Sequence, residues 1–202
     1  MGRQRQAAGF SLVELMVVIA VMGVLLMLGF RSFAGWLQSL RVRAAAESIQ
    51  NGLQVAKAEA LKRNGNVTFA LVDGLTAACA PVATGTAVGT WAWLVIAGGV
   101  PGNCDPADAG NADTYVQGRP GAEGSSSSSM QVNTNLTSVT FTGLARLSPV
   151  PAADMAIDVS SDAGACGSGA ESIRCLRVVV STMGQIRMCD PKVVDAGDPR
   201  KC

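Results

Sequence analysis

Two sets of residues in this chain have the types and spacing to do chemistry. The first is the junction Gly9-Phe10, followed four residues later by Glu14, the sole ionisable side chain between Phe10 and Phe30. A cut after Gly9 makes Phe10 a new N-terminus. Its α-amino group then has a carboxylate one helical turn along with which to pair between adjacent subunits, which offsets burying both charges. The second set is six cysteines, Cys79, Cys104, Cys166, Cys175, Cys189 and Cys202. Their nearest spacing is nine residues, so C-x-x-C zinc pairs are lacking, and the even count reads as disulfides in an oxidising compartment. Histidine is absent throughout, which removes the commonest general base and the commonest metal ligand. Serine, aspartate and lysine are present without a motif that would activate a nucleophile. No enzyme activity, cofactor or metal site is expected.

Glu14 must be carried by the apolar run from Phe10 to Phe30, 21 residues long, where about 20 suffice for a helix to cross a bilayer. A carboxylate at the centre of such a helix costs roughly 2.5–3.5 kcal/mol, less near an end. Residues 1–9 form a basic leader with Arg3 and Arg5 and no acid, which orients the N-terminus to the inside. Three readings compete. A secretory signal peptide cut near Ser32-Phe33-Ala34 has to accept an overlong apolar core and an acid at its start. An ordinary single-span anchor explains length and orientation but leaves Glu14 without a purpose. A class III leader, cut after Gly9 on the cytoplasmic side, keeps the helix on the mature protein and gives Glu14 a partner.

Beyond the apolar run the helix is expected to continue through residues 31–65. Ile49, Leu53, Ala56 and Ala60 fall on one face, and Glu59 can pair with Arg63 a turn on. Asn64-Gly65-Asn66 supplies a left-handed terminator. A helix from Phe10 to Asn64 is roughly 80 Å long, so a compact head can cover only its lower half. From Val67 the period changes to that of strands. Segments 67–72, 90–96, 138–142, 156–159, 173–180 and 185–188 have strand composition, the last two as a hairpin, and Pro101–Met130 with its run Ser125–Ser129 reads as a long surface loop. Trp36, Trp91 and Trp93 are core or interface candidates. The expected fold is α+β: a long N-terminal helix, transmembrane in its first half, packed by its C-terminal half on an antiparallel β-sheet domain spanning 66–202. Sequence proximity pairs Cys79 with Cys104, Cys166 with Cys175 and Cys189 with Cys202, one of fifteen possible sets. Charge is uneven: residues 70–170 hold two arginines against eight acids, while 171–202 hold six Lys/Arg against four.

The run Gly9-Phe10-Ser11-Leu12-Val13-Glu14-Leu15 and the apolar helix behind it resemble the type IV pilin and type II secretion pseudopilin superfamily. That resemblance implies cleavage between Gly9 and Phe10 by a membrane prepilin peptidase, N-methylation of Phe10, and a role for Glu14 in setting subunit register. The chain departs from most members in having Gly29-Phe30-Arg31 where they carry a proline, which bears on helix curvature. Ala46-Glu47-Ser48-Ile49, the stretch Leu53 to Ala60, Arg63-Asn64, Phe141-Thr142-Gly143 and Val180 to Pro191 are similar to the GspH/FimT/FimU-like minor subunits. The ending Asp198-Pro199-Arg200-Lys201-Cys202 is nearer the pilus members than the secretion member. The implied function is a minor type IV pilus subunit that helps initiate the filament, with other minor and major pilins as partners. It would sit in the inner membrane with its head in the periplasm, then in the pilus. The alternatives are a type II secretion pseudopilin and a DNA-binding pilin for natural transformation. Some FimT-like members bind DNA through Gly-Arg-x-Arg; here the matching positions are Gly184-Gln185-Ile186-Arg187, without the first arginine. Arg187, Arg200 and Lys201, with Arg174, Arg177 and Lys192, can supply phosphate contacts, or they can simply solubilise strand edges.

Overall fold

The computed structural model describes residues 11–99, 103–108, 110, 113–121, 130–167 and 172–202, with the helical backbone alone at 28–34. The leader, the Gly9-Phe10 junction, Ser125–Ser129 and Glu171 lie outside the described residues.

Helix α1 runs unbroken over Leu12–Arg63, 52 residues, or about 78 Å. Its register follows the expected spacing: Val42, Ala46, Ile49, Leu53, Ala56 and Ala60 are all fully buried, while Arg43–Glu47 and Glu59–Arg63 make ion pairs one turn apart on the outside. Asn64 takes the left-handed conformation that ends the helix (φ 49°, ψ 41°). Its N–H donates to the Leu61 carbonyl, and the Gly65 N–H reaches back to the Ala60 carbonyl, the paired closure of a Schellman motif. Gly143 lies against this turn so closely that a Cβ there would sit 2.9 Å from the Asn64 Cα.

Among the described residues eight strands follow: β1 Val67–Val72, β2 Ala92–Ala97, β3 Tyr115–Pro120, β4 Met130–Thr134, β5 Ser138–Phe141, β6 Met155–Ser161, β7 Leu176–Val180 and β8 Ile186–Cys189. They form two four-stranded antiparallel sheets, in the orders β3-β2-β1-β5 and β4-β6-β7-β8. One apolar core, including Ile49, Leu53, Phe69, Trp93, Ile157 and Val178, joins the lower half of α1 to both sheets. The segment leading into β2 is tied to β4 of the other sheet, where Val88 and Val132 exchange backbone hydrogen bonds and the Trp91 indole donates to the Met130 carbonyl. β1 is buried along its whole length, because the outer face of its sheet carries a second cluster: Ala70, Val72, Ala92, Leu94, Ile96 and Cys104.

Pro101–Met130 is not wholly a loop. It contains β3, and Met130 opens β4 at 1% exposure. β3 ends in Gly118-Arg119-Pro120, residues that weaken a strand signal but are tolerated on a sheet edge, and β3 is an edge strand. The strand expected over 173–180 begins only at Leu176, because Ile173 instead forms an isolated parallel bridge with Cys166.

Candidate functional site

The N-terminal end of α1 is built by Ser11. Its backbone is extended (φ −72°, ψ 144°), and its hydroxyl accepts from the Val13 N–H at 3.3 Å, satisfying one of the donors a helix start leaves open. Ser11 and Glu14 have the S-x-x-E spacing of a helix start, so Glu14 stands in the first turn, where the positive end of the helix dipole favours a carboxylate. The described side chains from Ser11 to Met27 are all exposed, and Glu14 alone among them ionises. Among the described residues nothing covers that apolar cylinder. No helix of the described residues is long and apolar enough to cross a membrane. The expected span, 10–30, runs beyond them at Phe10 and includes the undescribed side chains of Leu28 to Phe30.

Below Met27 the first buried side chain among those described is Gln38, which donates to the Ser161 hydroxyl of β6. Ser39 accepts from the Arg174 N–H at 3.2 Å. Lower down, the Trp93 indole donates to the Ser48 hydroxyl at 2.9 Å, and the Lys57 ammonium donates to the Gly184 carbonyl in the β7–β8 turn at 2.9 Å. Polar contacts from both sheets thus fix the rotation and height of α1 in the head, and through it the position of Glu14.

All six cysteines are in disulfides: Cys79–Cys104, Cys166–Cys175 and Cys189–Cys202. These are the pairs that sequence proximity selects. The first braces the loops over the outer face of the β1–β2 sheet, beside Leu94 and Ile96. The third, with the Asp190–Lys201 bridge, pins the C-terminal tail to the end of β8.

That third bridge brings Arg187, Arg200 and Lys201 to one end of the head. Arg187 donates to the Cys202 carbonyl at 3.3 Å and Lys201 to the Val194 carbonyl at 3.2 Å. Arg200 forks onto Asp198. The Arg200 guanidinium, by hydrogen bonding first, holds the Asp198 carboxyl down to about 2. Arg174 pairs with Asp190 at 3.1 Å. Arg177 and Asp158, opposite each other on β7 and β6, pair at 2.7 and 2.8 Å, and this hydrogen bonding raises the arginine pKa further. Three of the six tail-region cations therefore already face carboxylates. Sequence reading placed the arginines but missed Asp158, Asp190 and Asp198 as their partners. The Asp198-x-Arg200 spacing was the one local signal available.

A helical stem with an exposed apolar half and one carboxylate in its first turn, carrying a two-sheet head, defines a pilin-class subunit. The profile of the prokaryotic N-terminal methylation motif matches residues 4–30, and that of the type II transport protein GspH matches residues 45–184. The chain belongs to the GspH family. Two crystal structures of the type IV minor pilin FimU of Pseudomonas aeruginosa (strain PAO1) are similar to it, each at 14% sequence identity. In space group P65 the TM-score is 0.45, with 72% of this chain and 90% of FimU covered. In space group P21 the TM-score is 0.46, with 73% and 87% covered. No curated protein matches the chain.

Proposed function

We propose that this chain is a minor type IV pilus subunit whose work is assembly. It is made as a prepilin in the inner membrane with its head in the periplasm, is cut by prepilin peptidase between Gly9 and Phe10, and is N-methylated at Phe10. The apolar stem stores it in the bilayer and then packs among other pilins in the filament core. There Glu14 pairs with a neighbouring Phe10 amine and sets the axial step. One observation carries this reading: a stem whose described side chains from Ser11 to Met27 are all exposed, with Glu14 its one charge, within a segment matching the methylation motif. The pair is favourable because two charges leave water together and neutralise each other, whereas either alone pays the full desolvation cost.

A second reading, a type II secretion pseudopilin, is favoured by the family match over residues 45–184. A strain lacking the gene separates the two. Lost surface pili and twitching with normal secretion supports the pilus reading. Normal pili with enzymes trapped in the periplasm makes the chain a secretion subunit. A third reading, DNA capture during transformation, draws on the gathering of Arg187, Arg200 and Lys201 by the Cys189–Cys202 bridge. It requires uptake to fall when all three are replaced while pili remain.

A further inference from the structure

Where the stem enters the head, α1 and the β7–β8 edge leave a groove of about 350 Å³. Trp36, Leu40 and Leu176 line it on the apolar side, and Arg43, Arg174 and Arg200 on the charged side. Trp36 is 56% exposed. Each arginine has a carboxylate partner, yet in two pairs the carboxylate is the covered member. Asp190 and Asp198 side chains are 9% and 18% exposed, against 49% and 59% for Arg174 and Arg200. At these two pairs solvent meets guanidinium more than carboxylate, although Asp190 also lines the groove and Glu47, the partner of Arg43, is 51% exposed.

The height of the groove matters as much as its lining. Gln38 is the first described side chain to be buried, so the groove lies at the stem end of the head. Trp36 is six residues past Phe30, a rise of about 9 Å. If 10–30 fills the hydrocarbon layer, Trp36 stands at headgroup depth, where tryptophan is enriched, and the three arginines sit at or just beyond it.

We propose that this groove seats an anionic phospholipid headgroup of the leaflet facing the head. A phosphate takes the arginine rim, while Trp36 and Leu40 lie along the upper acyl chain. The head is thereby docked on the membrane surface while the subunit waits for assembly, with its orientation about the stem fixed. This rests on the membrane-anchored reading above. A headgroup suits the groove better than a duplex does, because half the lining is apolar and adjoins the apolar stem.

The test uses the full chain in lipid nanodiscs, one chain per disc, followed by amide hydrogen exchange. The discs are pure phosphatidylcholine or contain phosphatidylglycerol. Amides at 172–176 and 187–201 should exchange more slowly with phosphatidylglycerol, by roughly fivefold for each arginine engaged, and added salt should reduce the effect. R43Q/R200Q should cut the slowing to the roughly fivefold that Arg174 alone supplies, without lowering the melting temperature, since both ion pairs are on the surface. The wild-type comparison between lipids stands without any variant. Equal rates in both lipids overturn the proposal and leave the anchor reading intact. Failure of the chain to insert into discs overturns both. Protection that appears in phosphatidylcholine discs only on adding duplex DNA, or only with two chains per disc, overturns it in favour of nucleic acid or of a copy-to-copy contact.

Discussion

At Gly52 α1 lies close against a sheet, and replacing this glycine with alanine sets two effects of opposite sign against each other. In a helix interior the change gains about 1 kcal/mol of propensity. Against that, the added methyl would lie 2.8 Å from the Trp93 Cε3, 2.9 Å from its Cδ2 and 3.0 Å from the Phe69 Cε2. These are ring atoms, not flexible chain ends, and the two rings are themselves stacked at 6.2 Å between centroids. Trp93 is further held by its hydrogen bond to Ser48 on the same helix. Overpacking of this kind costs about 1–3 kcal/mol, so the net runs from about zero to a loss of about 2 kcal/mol. For a chain of this size that lowers Tm by up to about 8 °C. The assay is thermal melting of the full chain in mild detergent, followed by circular dichroism. Gly23, on the same helix, has nothing within 4 Å of an added Cβ, so G23A should leave the melting of the head unchanged. In a Trp93→Leu background the penalty of G52A should shrink, because the offending ring atoms are gone. A higher Tm for G52A in the wild-type background would refute the close helix–sheet contact.

Further outcomes are expected at the stem and the tail. Glu14→Ala should leave leader cleavage intact and abolish incorporation into filaments; quantifying the subunit in sheared pili checks this, and normal incorporation sinks the pairing role. A bulky residue at Gly9 should block cleavage, read as an unshifted mature mass. C189S/C202S should release the tail and cost about 3 kcal/mol on the chain-entropy account, seen as lower Tm and rapid proteolysis after residue 190. The Asp198 carboxyl is depressed in the folded chain to about 2. Its pairing with Arg200 is therefore fully present above pH 4 and lost as pH falls from about 4 to about 2. The carboxyl carbon should titrate with a midpoint near 2 by NMR, and R200Q should raise it toward the ordinary value, with the backbone N–H at 200 still donating. A midpoint near 3.8 in the wild type would mean the pair does not form in solution.

The helix was legible because its signals are local and strong. Ile49, Leu53, Ala56 and Ala60 repeat at helical spacing, and Asn64-Gly65-Asn66 can only terminate. The strands with β-branched runs, β1 and β6 among them, were legible for the same reason. β3 was not, because its Gly118 and Pro120 argue locally against a strand and only pairing with β2 overrides them. That there are two sheets, not one, was also invisible. Sheet membership depends on long-range registers such as Val132 opposite Val159, which no local pattern encodes. At the site, Glu14 stood out because a lone carboxylate in an apolar run demands a reason. The junction groove did not, since Trp36, Arg174 and Arg200 become neighbours only through the docking of β7 and the pinning of the tail.

The three disulfides close loops of 25, 9 and 13 residues of sequence separation, and none of their cysteines lies in α1. The stem is thus joined to the head covalently only through the chain at Asn64, at the end of the helix farthest from Glu14. If the chain assembles as proposed, tension along the filament enters through the stem and acts to peel α1 off the sheets. The bridges would stay taut and unbroken while the head opened. The mechanical strength of the subunit is therefore set by the packing around Ile49, Leu53 and Gly52, and reducing agent should weaken the rim of the head well before it weakens that grip.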